Sequence, residues 1–516
     1  MEKDFVITVN SKDQKIGLKE KINAHLKNGV LHRAFVVFVT DGSGKVLIQR
    51  RSKNKMLWPS YWECTLASHP RLGEDYVKAG RRRLMEELGF NCHLRMLDKF
   101  QYLAKYKNIG AEREVCAVLI GEYNGKIKPN PKEVAEWKWV RIDDLKEDII
   151  KNPRKYAPWL AKSFDILFSN FEKIKVLKNK KIDSVLEKMS KIIMPVMKNL
   201  LNSYIGKRFQ ELVQYQISSG GKRLRPALAI ISCKLLGGKT EDILYPAAGF
   251  EILHNYTLII DDIIDNSFLR RGKPTVWAKF GESIAQCIGI YYSATIFQTT
   301  KYSKVSNKIS EILAESAKIV SDGEILDILF ERTGRENEQY ILKNRYQNIS
   351  EKDYLEMVVK KTATLFKNCC EAGGICAGAG EKEIKLLSNY GFNLGIVFQI
   401  RDDVLDIFGN EKKFGKKIGK DIQERKAGNI IIVFALKELS QSDRKKLNNT
   451  FRKKEISDQD IKEVIGLIKK TDALRRAKAF GYDFVQKAKE NLKLLPQNQW
   501  NALLADLVDF VANREK

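Results

Sequence analysis

Two rhythms of apolar and polar positions divide this chain. Between residues 30 and 60 the pattern is short and strand-like. Arg33-Ala34-Phe35-Val36-Val37-Phe38-Val39 and Lys45-Val46-Leu47-Ile48-Gln49 are rich in β-branched and apolar residues, and Asp41-Gly42-Ser43-Gly44 between them has turn composition. From Tyr76 to Leu88 the spacing becomes helical and stops at Gly89, a residue suited to the left-handed end of a helix. Strand-like text returns at Val115–Glu122 and Glu136–Val140. The expectation is a mixed α/β domain over residues 1–172. Residues 173–181 are lysine-rich without an apolar period and read as a linker. Beyond them the helical period is nearly unbroken, through Val185–Leu200, Asp242–Ile264, Ile309–Leu329 and Ile384–Ile407. This predicts an all-α bundle over residues 182–516.

A length of 516 residues and a 44% hydrophobic fraction agree with two ordinary globular domains. No apolar run approaches the roughly 18 residues of a membrane span. The opening Met1-Glu2-Lys3-Asp4-Phe5 lacks the apolar core of a signal peptide. The eight cysteines contain no C-x-x-C pair and read as reduced thiols. A cytoplasmic protein is expected. The net charge of +27 admits nucleic acid, anionic lipid or phosphorylated small molecules as partners. Lysine is spread along the whole length, and no nucleic-acid recognition motif accompanies it. Solvated surface, attraction of diphosphates and peripheral contact with an anionic membrane are the readings that remain.

The most informative chemistry is a repeated acidic motif. Asp261-Asp262-Ile263-Ile264-Asp265 and Asp402-Asp403-Val404-Leu405-Asp406 both read D-D-x-x-D, flanked by Leu258-Ile259-Ile260 and Phe398-Gln399-Ile400. On a helix such carboxylates project toward one side. In apolar surroundings they need cations to neutralise them, and all-oxygen sites of this kind suit Mg²⁺ arriving with substrate phosphates. Basic groups accompany them in Gly220-Gly221-Lys222-Arg223-Leu224-Arg225-Pro226, Arg270-Arg271-Gly272-Lys273-Pro274-Thr275 and Lys361-Thr362. Guanidinium forks and ammonium groups are natural ligands of a diphosphate.

With these motifs in hand, residues 182–516 resemble the trans-isoprenyl diphosphate synthases, an all-α family. GGKRLRP at 220–226, DDIID at 261–265, RRGKPT at 270–275, KTATLF at 361–366, FQIRDDVLD at 398–406 and GKDIQERK at 419–426 carry the resemblance. It implies that isopentenyl diphosphate is condensed with dimethylallyl or longer allylic diphosphates. Asp261, Asp262, Asp265, Asp402 and Asp406, with Asp403 in the same motif, would hold Mg²⁺ against the allylic diphosphate. Arg270, Lys361 and Lys426 would grip that diphosphate, with Thr362 and Gln399 beside it. Lys222, Arg225, His254 and Arg271 would bind isopentenyl diphosphate. Tyr256, with the small Thr257 after it, would end the growing tail near C20, as in archaeal geranylgeranyl diphosphate synthases. A homodimer or higher homo-oligomer is implied. The chain departs from the family's commonest E-G-K-x-T form at Arg425 and Gly428, as some archaeal members do, while Asp421 and Lys426 are retained.

The chain has five histidines, and four of them, His25, His32, His69 and His93, fall in the first domain. With Glu112 and Glu114 they make a divalent metal such as Zn²⁺ or Mn²⁺ a candidate. The segments HLKNGVLHRAF at 25–35, RRSKNKMLWPSYW at 50–62, SHP at 68–70, RRLMEELG at 82–89, EREVC at 112–116 and YAPW at 156–159 resemble type 1 isopentenyl diphosphate isomerases of the Nudix fold. The resemblance implies metal ligands His25, His32, His69, Glu112 and Glu114, with Glu87 helping to hold a Mg²⁺. Lys21, Arg51, Lys55 and Arg83 would contact the diphosphate. Tyr102, Glu114 and Trp159 would line the reacting end, Trp159 as an aromatic face for a cation. His93 matches none of these segments and is read as structural.

One departure weighs against the matches. Isomerisation needs two opposed proton-transfer groups, and the family uses a cysteine and a glutamate. The segment WPSYWECTLASHP places Ala67 where the cysteine belongs. Cys64, three residues earlier, should face the other way on an extended strand. Three readings stand: a silent module kept for binding or assembly, an isomerase working with another acid, and a Nudix hydrolase. The last is weakened by Arg83, which stands where that motif needs a glutamate.

Overall fold

The structure is a computed structural model that describes residues 4–41, 44–409, 411 and 417–514, without the side chains of 172–178. The expected turn at 41–44 therefore lies partly outside the described residues. The chain divides into two compact units, Met1–Leu177 and Lys178–Lys516.

The first unit is built on a mixed sheet. Its strands are β1 (Phe5–Val9), β2 (Lys15–Glu20), β3 (His32–Thr40), β4 (Lys45–Arg51), β5 (Trp62–Glu63), β6 (Leu66–Ser68), β7 (Leu94–Tyr106), β8 (Gly110–Glu122) and β9 (Val134–Arg141). β3 lies parallel to β8 and antiparallel to β6, while β7 pairs antiparallel with β8 and β9 with β4. β3 reads as a continuous apolar run because both its faces are covered. Ala34, Val36 and Phe38 pack with Trp159, Leu160 and Phe164 on one face. Phe35, Val37 and Val39 pack with Ala79, Leu84 and Leu88 of helix Tyr76–Leu88 on the other. That helix opens on Asp75, which accepts the Lys78 amide, and closes on Gly89 at φ 71°.

The segment read as a linker is helical. Residues 173–181 lie within a single helix, Pro158–Asn202. Lysine is a good helix former, and an apolar period is the mark of a helix face that packs, not a condition for a helix to form.

The second unit is helical, apart from the short ribbon Leu269–Arg270 with Lys273–Pro274. Its principal helices include Leu224–Leu235, Thr240–Ile264, Ser306–Leu329, Thr364–Cys376, Glu381–Phe408 and Ala473–Lys493. Gly395 lets Glu381–Phe408 approach its neighbour closely, because a Cβ there would stand 2.6 Å from the Ala363 Cα. Between Glu351–Val358 and Thr364–Cys376 runs one π-helical turn, Val359–Ala363, and it carries Lys361 and Thr362.

Candidate active sites

In the first unit, sheet register assembles the site. His32 on β3 lies opposite Glu114 on β8, and Tyr102 on β7 is paired with the same Glu114. Glu112 and Glu114, two apart on a strand, share a face. His25, His32, His69, Glu112 and Glu114 each bring one ligand atom to within 4.8 Å of the others. The Nδ1 of His25 lies 2.6 Å from the Lys21 carbonyl, and that of His32 lies 2.6 Å from the Val30 carbonyl. Each contact fixes an Nδ1–H tautomer and aims the Nε2 lone pair inward. His32 Nε2 and His69 Nδ1 are buried with no hydrogen-bond partner, and a Glu112 oxygen meets the His25 Nε2 at 3.0 Å. Orphaned donors of this chemistry fit a divalent cation. His93 lies outside the cluster and is exposed.

Beside the cluster is a cavity of about 180 Å³, lined among others by Lys21, Arg51, Ala67, Tyr102, Glu114 and Trp159. Tyr102 donates to Glu114 at 2.6 Å. Burial, reinforced by Glu114, pushes the Tyr102 phenol well above its ordinary range. Lys55 and Arg83 also reach this cavity, Lys55 paired with Glu133 and Arg83 with Glu87. Arg51 does not present a free guanidinium. It donates to both Glu63 oxygens at 3.1 Å and to the Trp58 and Leu57 carbonyls at 3.0 Å. Glu63 also accepts the Trp159 indole N–H at 3.0 Å, and the Arg51 guanidinium lies 4.9 Å from the Trp159 ring. Ala67 faces the cavity. Cys64 is fully buried, donates to the Leu66 carbonyl at 3.1 Å, and has its thiol pushed well up by that burial.

In the second unit, Asp261 and Asp262 occupy the last turn of helix Thr240–Ile264, Asp265 follows its end, and Asp402, Asp403 and Asp406 lie on Glu381–Phe408. The six carboxylates are not equivalent. Asp262 is clasped by Arg270, through Nε at 2.8 and 2.9 Å and through Nη2 at 2.7 Å. Asp403 accepts the Ile430 amide at 3.0 Å and Gln399 Nε2 at 2.9 Å, and burial pushes its carboxyl up to about 8. Asp262 and Asp403 thus serve protein partners. Asp265 meets Lys426 at 2.9 Å, Asp402 meets Arg514 at 2.5 Å, and Asp406 accepts the Lys420 and Asp421 amides at 3.0 and 3.2 Å. Burial raises Asp261, and the charges of Lys361 and Arg270 oppose that rise. The Thr362 hydroxyl donates to Gln399 at 2.9 Å and so reaches Asp403 through it.

A second basic group surrounds His254. Burial first, then Arg225, Arg271, Arg270 and Arg223, hold this imidazole well below its ordinary range, so it stays neutral in a strongly positive field. Arg225 is half-buried, with a buried and unpartnered Nε, and lies 4.8 Å from the Phe366 ring. Lys222 stands 4.8 Å from the Phe510 ring, and Arg271 donates to the Gly220 carbonyl. Such an array suits an anionic ligand. Tyr256 is half-buried beside helix Glu282–Gln298, where a Cβ on Gly289 would lie 3.7 Å from its ring. Thr257 donates to the His254 carbonyl at 2.9 Å.

Residues 206–468 match the Polyprenyl synthetase family. The chain belongs to that family. Residues 30–160 of this polyprenyl synthetase match the NUDIX domain. A geranylgeranyl diphosphate synthase of Saccharolobus solfataricus is 36% identical over 331 residues, which is 62% of this chain and 94% of that one. A short chain isoprenyl diphosphate synthase of Methanocaldococcus jannaschii is 35% identical over 319 residues, 61% of this chain and 92% of that one. Among solved structures, the geranylgeranyl pyrophosphate synthetase of Pyrococcus horikoshii superposes with a TM-score of 0.59 at 29% identity, over 65% of this chain and 99% of that one. A polyprenyl synthase of Caulobacter crescentus, solved with calcium and isoprenyl diphosphate, superposes with a TM-score of 0.57 at 29% identity, over 65% of this chain and 98% of that one.

The synthetase's two departures near residue 425 have local causes. Arg425 adopts φ 62°, a conformation that suits glycine, and is anchored by donating to the Lys453 and Lys454 carbonyls at 3.0 and 2.6 Å. Gly428 packs against Phe330, whose ring would stand 2.8 Å from an added Cβ. Sequence reasoning missed Glu324 and Asp327, which both hold Lys361, and also Glu63, Glu133, Glu251 and Arg514. Glu324 and Asp327 had a signal. They are two acids spaced i, i+3 in an otherwise apolar helical stretch, which places both on one face. No described helix is long and apolar enough to cross a membrane.

Proposed function

We propose that the C-terminal unit condenses isopentenyl diphosphate with dimethylallyl and longer allylic diphosphates, in a Mg²⁺-dependent reaction ending at C20 geranylgeranyl diphosphate. The N-terminal unit, on this reading, keeps an isomerase-like metal and diphosphate site but lacks one of the two proton-transfer groups. The supporting observation is the gathering of Asp261 and Asp265 with Lys361, Lys426 and Arg270, alongside a separate arginine group around His254. Both differ from the solvated acidic faces that a lone motif would more often represent.

Asp261, Asp265, Asp402 and Asp406 would hold Mg²⁺, which would supply charge stabilisation for the pyrophosphate leaving group. Lys361, Lys426 and Arg270 add fixed positive charge on the same leaving group. Lys222, Arg225, Arg271 and neutral His254 hold the second diphosphate, so that once the allylic carbon–oxygen bond has broken its double bond attacks the allylic cation, and the tertiary cation so formed loses a proton to the released pyrophosphate to give the new double bond. Buried Leu258 and Ile259 beside the motif keep water from the cation. Tyr256, below Asp261 on the same helix, stands where a C20 tail ends.

The donor set of the N-terminal cluster suits Zn²⁺ or Mn²⁺, whereas Glu87, with one oxygen held by Arg83 and the other by Gln49, would have to give up a partner to help hold a Mg²⁺ at the diphosphate. Ala67 cannot carry a proton, and Cys64 is sealed in the core away from the cavity. The face of Trp159 already has Arg51 beside it. A second reading, a working isomerase, is favoured by the intact Tyr102–Glu114 pair at 2.6 Å. Feeding the purified chain isopentenyl diphosphate alone, with Mg²⁺ and Zn²⁺ or Mn²⁺, decides between them. Prenyl product that disappears in Glu114→Ala establishes isomerisation. Product only after dimethylallyl diphosphate is added supports the silent site, no prenyl product under any feed overturns the synthase assignment, and a product of another length overturns C20 alone.

A further inference from the structure

The Lys361 ammonium is gripped by two carboxylates from a single neighbouring helix. Its Nζ lies 2.6 Å from Glu324 and 2.7 Å from Asp327, both on Ser306–Leu329. The two helices meet there with almost no space, since a Cβ on Gly323 would stand 2.3 Å from the Lys361 backbone nitrogen. Close approach is what lets side chains as short as aspartate and glutamate reach a lysine whose backbone belongs to the π-helical turn. Asp327 is shared, because Lys426 lies 3.5 Å from it and 2.9 Å from Asp265. Glu324 is not shared: one oxygen forms the ion pair with Lys361, and the other is buried with no hydrogen-bond partner. An ammonium has three N–H donors. With two directed at Glu324 and Asp327, the third has one direction left.

We propose that Glu324 is a positioning residue: paired with Asp327, it orients Lys361 so that a single N–H points at the allylic diphosphate. Asp327 alone cannot do this. One acceptor leaves the ammonium free to swing about that single bond, and Asp327 is also pulled toward Lys426. The chemical state of Glu324 agrees with a role as acceptor rather than counter-charge. Burial pushes the Glu324 carboxyl up, against the pull of Lys361, while Asp327, though burial raises it too, is held down by Lys361 and Lys426. Asp327 then supplies the negative charge and Glu324 the direction. A glutamine, which keeps an acceptor oxygen in the same place, should replace Glu324 with little loss, whereas alanine should not.

The inference rests on Lys361 contacting the allylic diphosphate, so its test includes Lys361 itself. Steady-state kinetics on the full chain would vary each diphosphate at saturation of the other, for wild type, Glu324→Ala, Glu324→Gln and Lys361→Ala. Misplacing a positioned group costs on the order of ten- to a hundredfold. Glu324→Ala and Lys361→Ala are each expected to lower kcat/KM for the allylic substrate by about tenfold or more on that scale. Glu324→Gln should stay near wild type, and KM for isopentenyl diphosphate should not move in any variant. A merely structural Glu324 would impair both substrates together and lower the melting temperature. Glu324→Ala behaving as wild type while Lys361→Ala is impaired overturns the inference and leaves the synthase reading intact. So does Glu324→Gln failing as badly as Glu324→Ala, which would make charge the essential property. An unimpaired Lys361→Ala would instead remove the premise that this lysine serves the allylic site.

Discussion

Ala67→Cys in the N-terminal unit tests whether one side chain separates this site from proton transfer. Ala67 lies on β6, registered against Val36, and its methyl group lines the cavity of about 180 Å³ that also exposes Tyr102 and Glu114. A thiol adds a single heavy atom toward open volume, so the fold should shift by less than about 1 kcal/mol. A positioned acid or base is worth about 10²- to 10⁴-fold in rate, which corresponds to about 3 to 5 kcal/mol of barrier. Arg51 is withdrawn onto Glu63 and lies beside the Trp159 face, which argues for the lower end of that range. The assay is conversion of radiolabelled isopentenyl diphosphate to acid-labile dimethylallyl diphosphate, with Zn²⁺ or Mn²⁺ and Mg²⁺ present. Ala67→Cys combined with Glu114→Ala serves as the blank. An increase of a hundredfold or so that is lost in the blank fits the reasoning. A variant no faster than wild type, with its metal shown to be bound, would refute it.

Other expectations follow from the same geometry. Tyr256→Ala should lengthen the product beyond C20, read by mass spectrometry of the dephosphorylated alcohol; an unchanged length would place the floor of the tail pocket elsewhere. Arg223 and Glu251 form a buried ion pair at 2.7 Å, and Glu251→Leu should cost about 3–5 kcal/mol in urea unfolding by stranding the guanidinium; a cost under about 1 kcal/mol would show that water reaches the pair. His69→Ala or chelation should remove one equivalent of Zn²⁺ or Mn²⁺ per chain by elemental analysis, and an unchanged metal content would remove the cluster as a site. Lys155, Tyr156 and Asn152 hold Asp148 down at about 2. Because that folded value is depressed, the stability is present above the unfolded value near 4 and is lost as pH falls toward 2. Asp148→Asn should therefore cost about 1 kcal/mol at pH 7, discounted for partial exposure, and only a small part of that near pH 2, where the group is half protonated; a cost unchanged at pH 2 would mean it does not come from the charge.

Much of this architecture is written locally in the sequence. Helix Tyr76–Leu88 is bounded by Asp75 and Gly89, residues whose capping chemistry acts within one turn. The two aspartate motifs are contiguous, so periodicity alone places their carboxylates. What escaped is non-local. Glu63 sits between a tryptophan and a cysteine with nothing nearby to mark it as the partner of Arg51 and Trp159. Arg514 reaches Asp402 from the far end of the chain, and no spacing rule connects them. Residues 173–181 are helical without an apolar period, so the pattern that marks a packed helix face is missing there although helix-forming lysines are present. The differing fates of the aspartates, with Asp262 tied to Arg270 and Asp403 to the Ile430 amide, depend on which segments the fold brings alongside.

The π-helical turn Val359–Ala363 also bears on how such a chain changes over time. Its wider ring frees backbone groups that an α-helix would use, and the Thr364 hydroxyl donates to the Val359 carbonyl at 2.8 Å. One residue more than an α-helix needs turns everything beyond it by about 100°. Phe366, Cys369 and Cys370 are all buried on the far side of that turn, so deleting one residue would rotate them out of the core together. Point substitutions cannot interconvert the two registers; only an insertion or deletion can. A graft that takes the following helix from a relative without the extra residue should misplace a whole core face, and would be corrected by restoring one residue rather than by redesigning contacts.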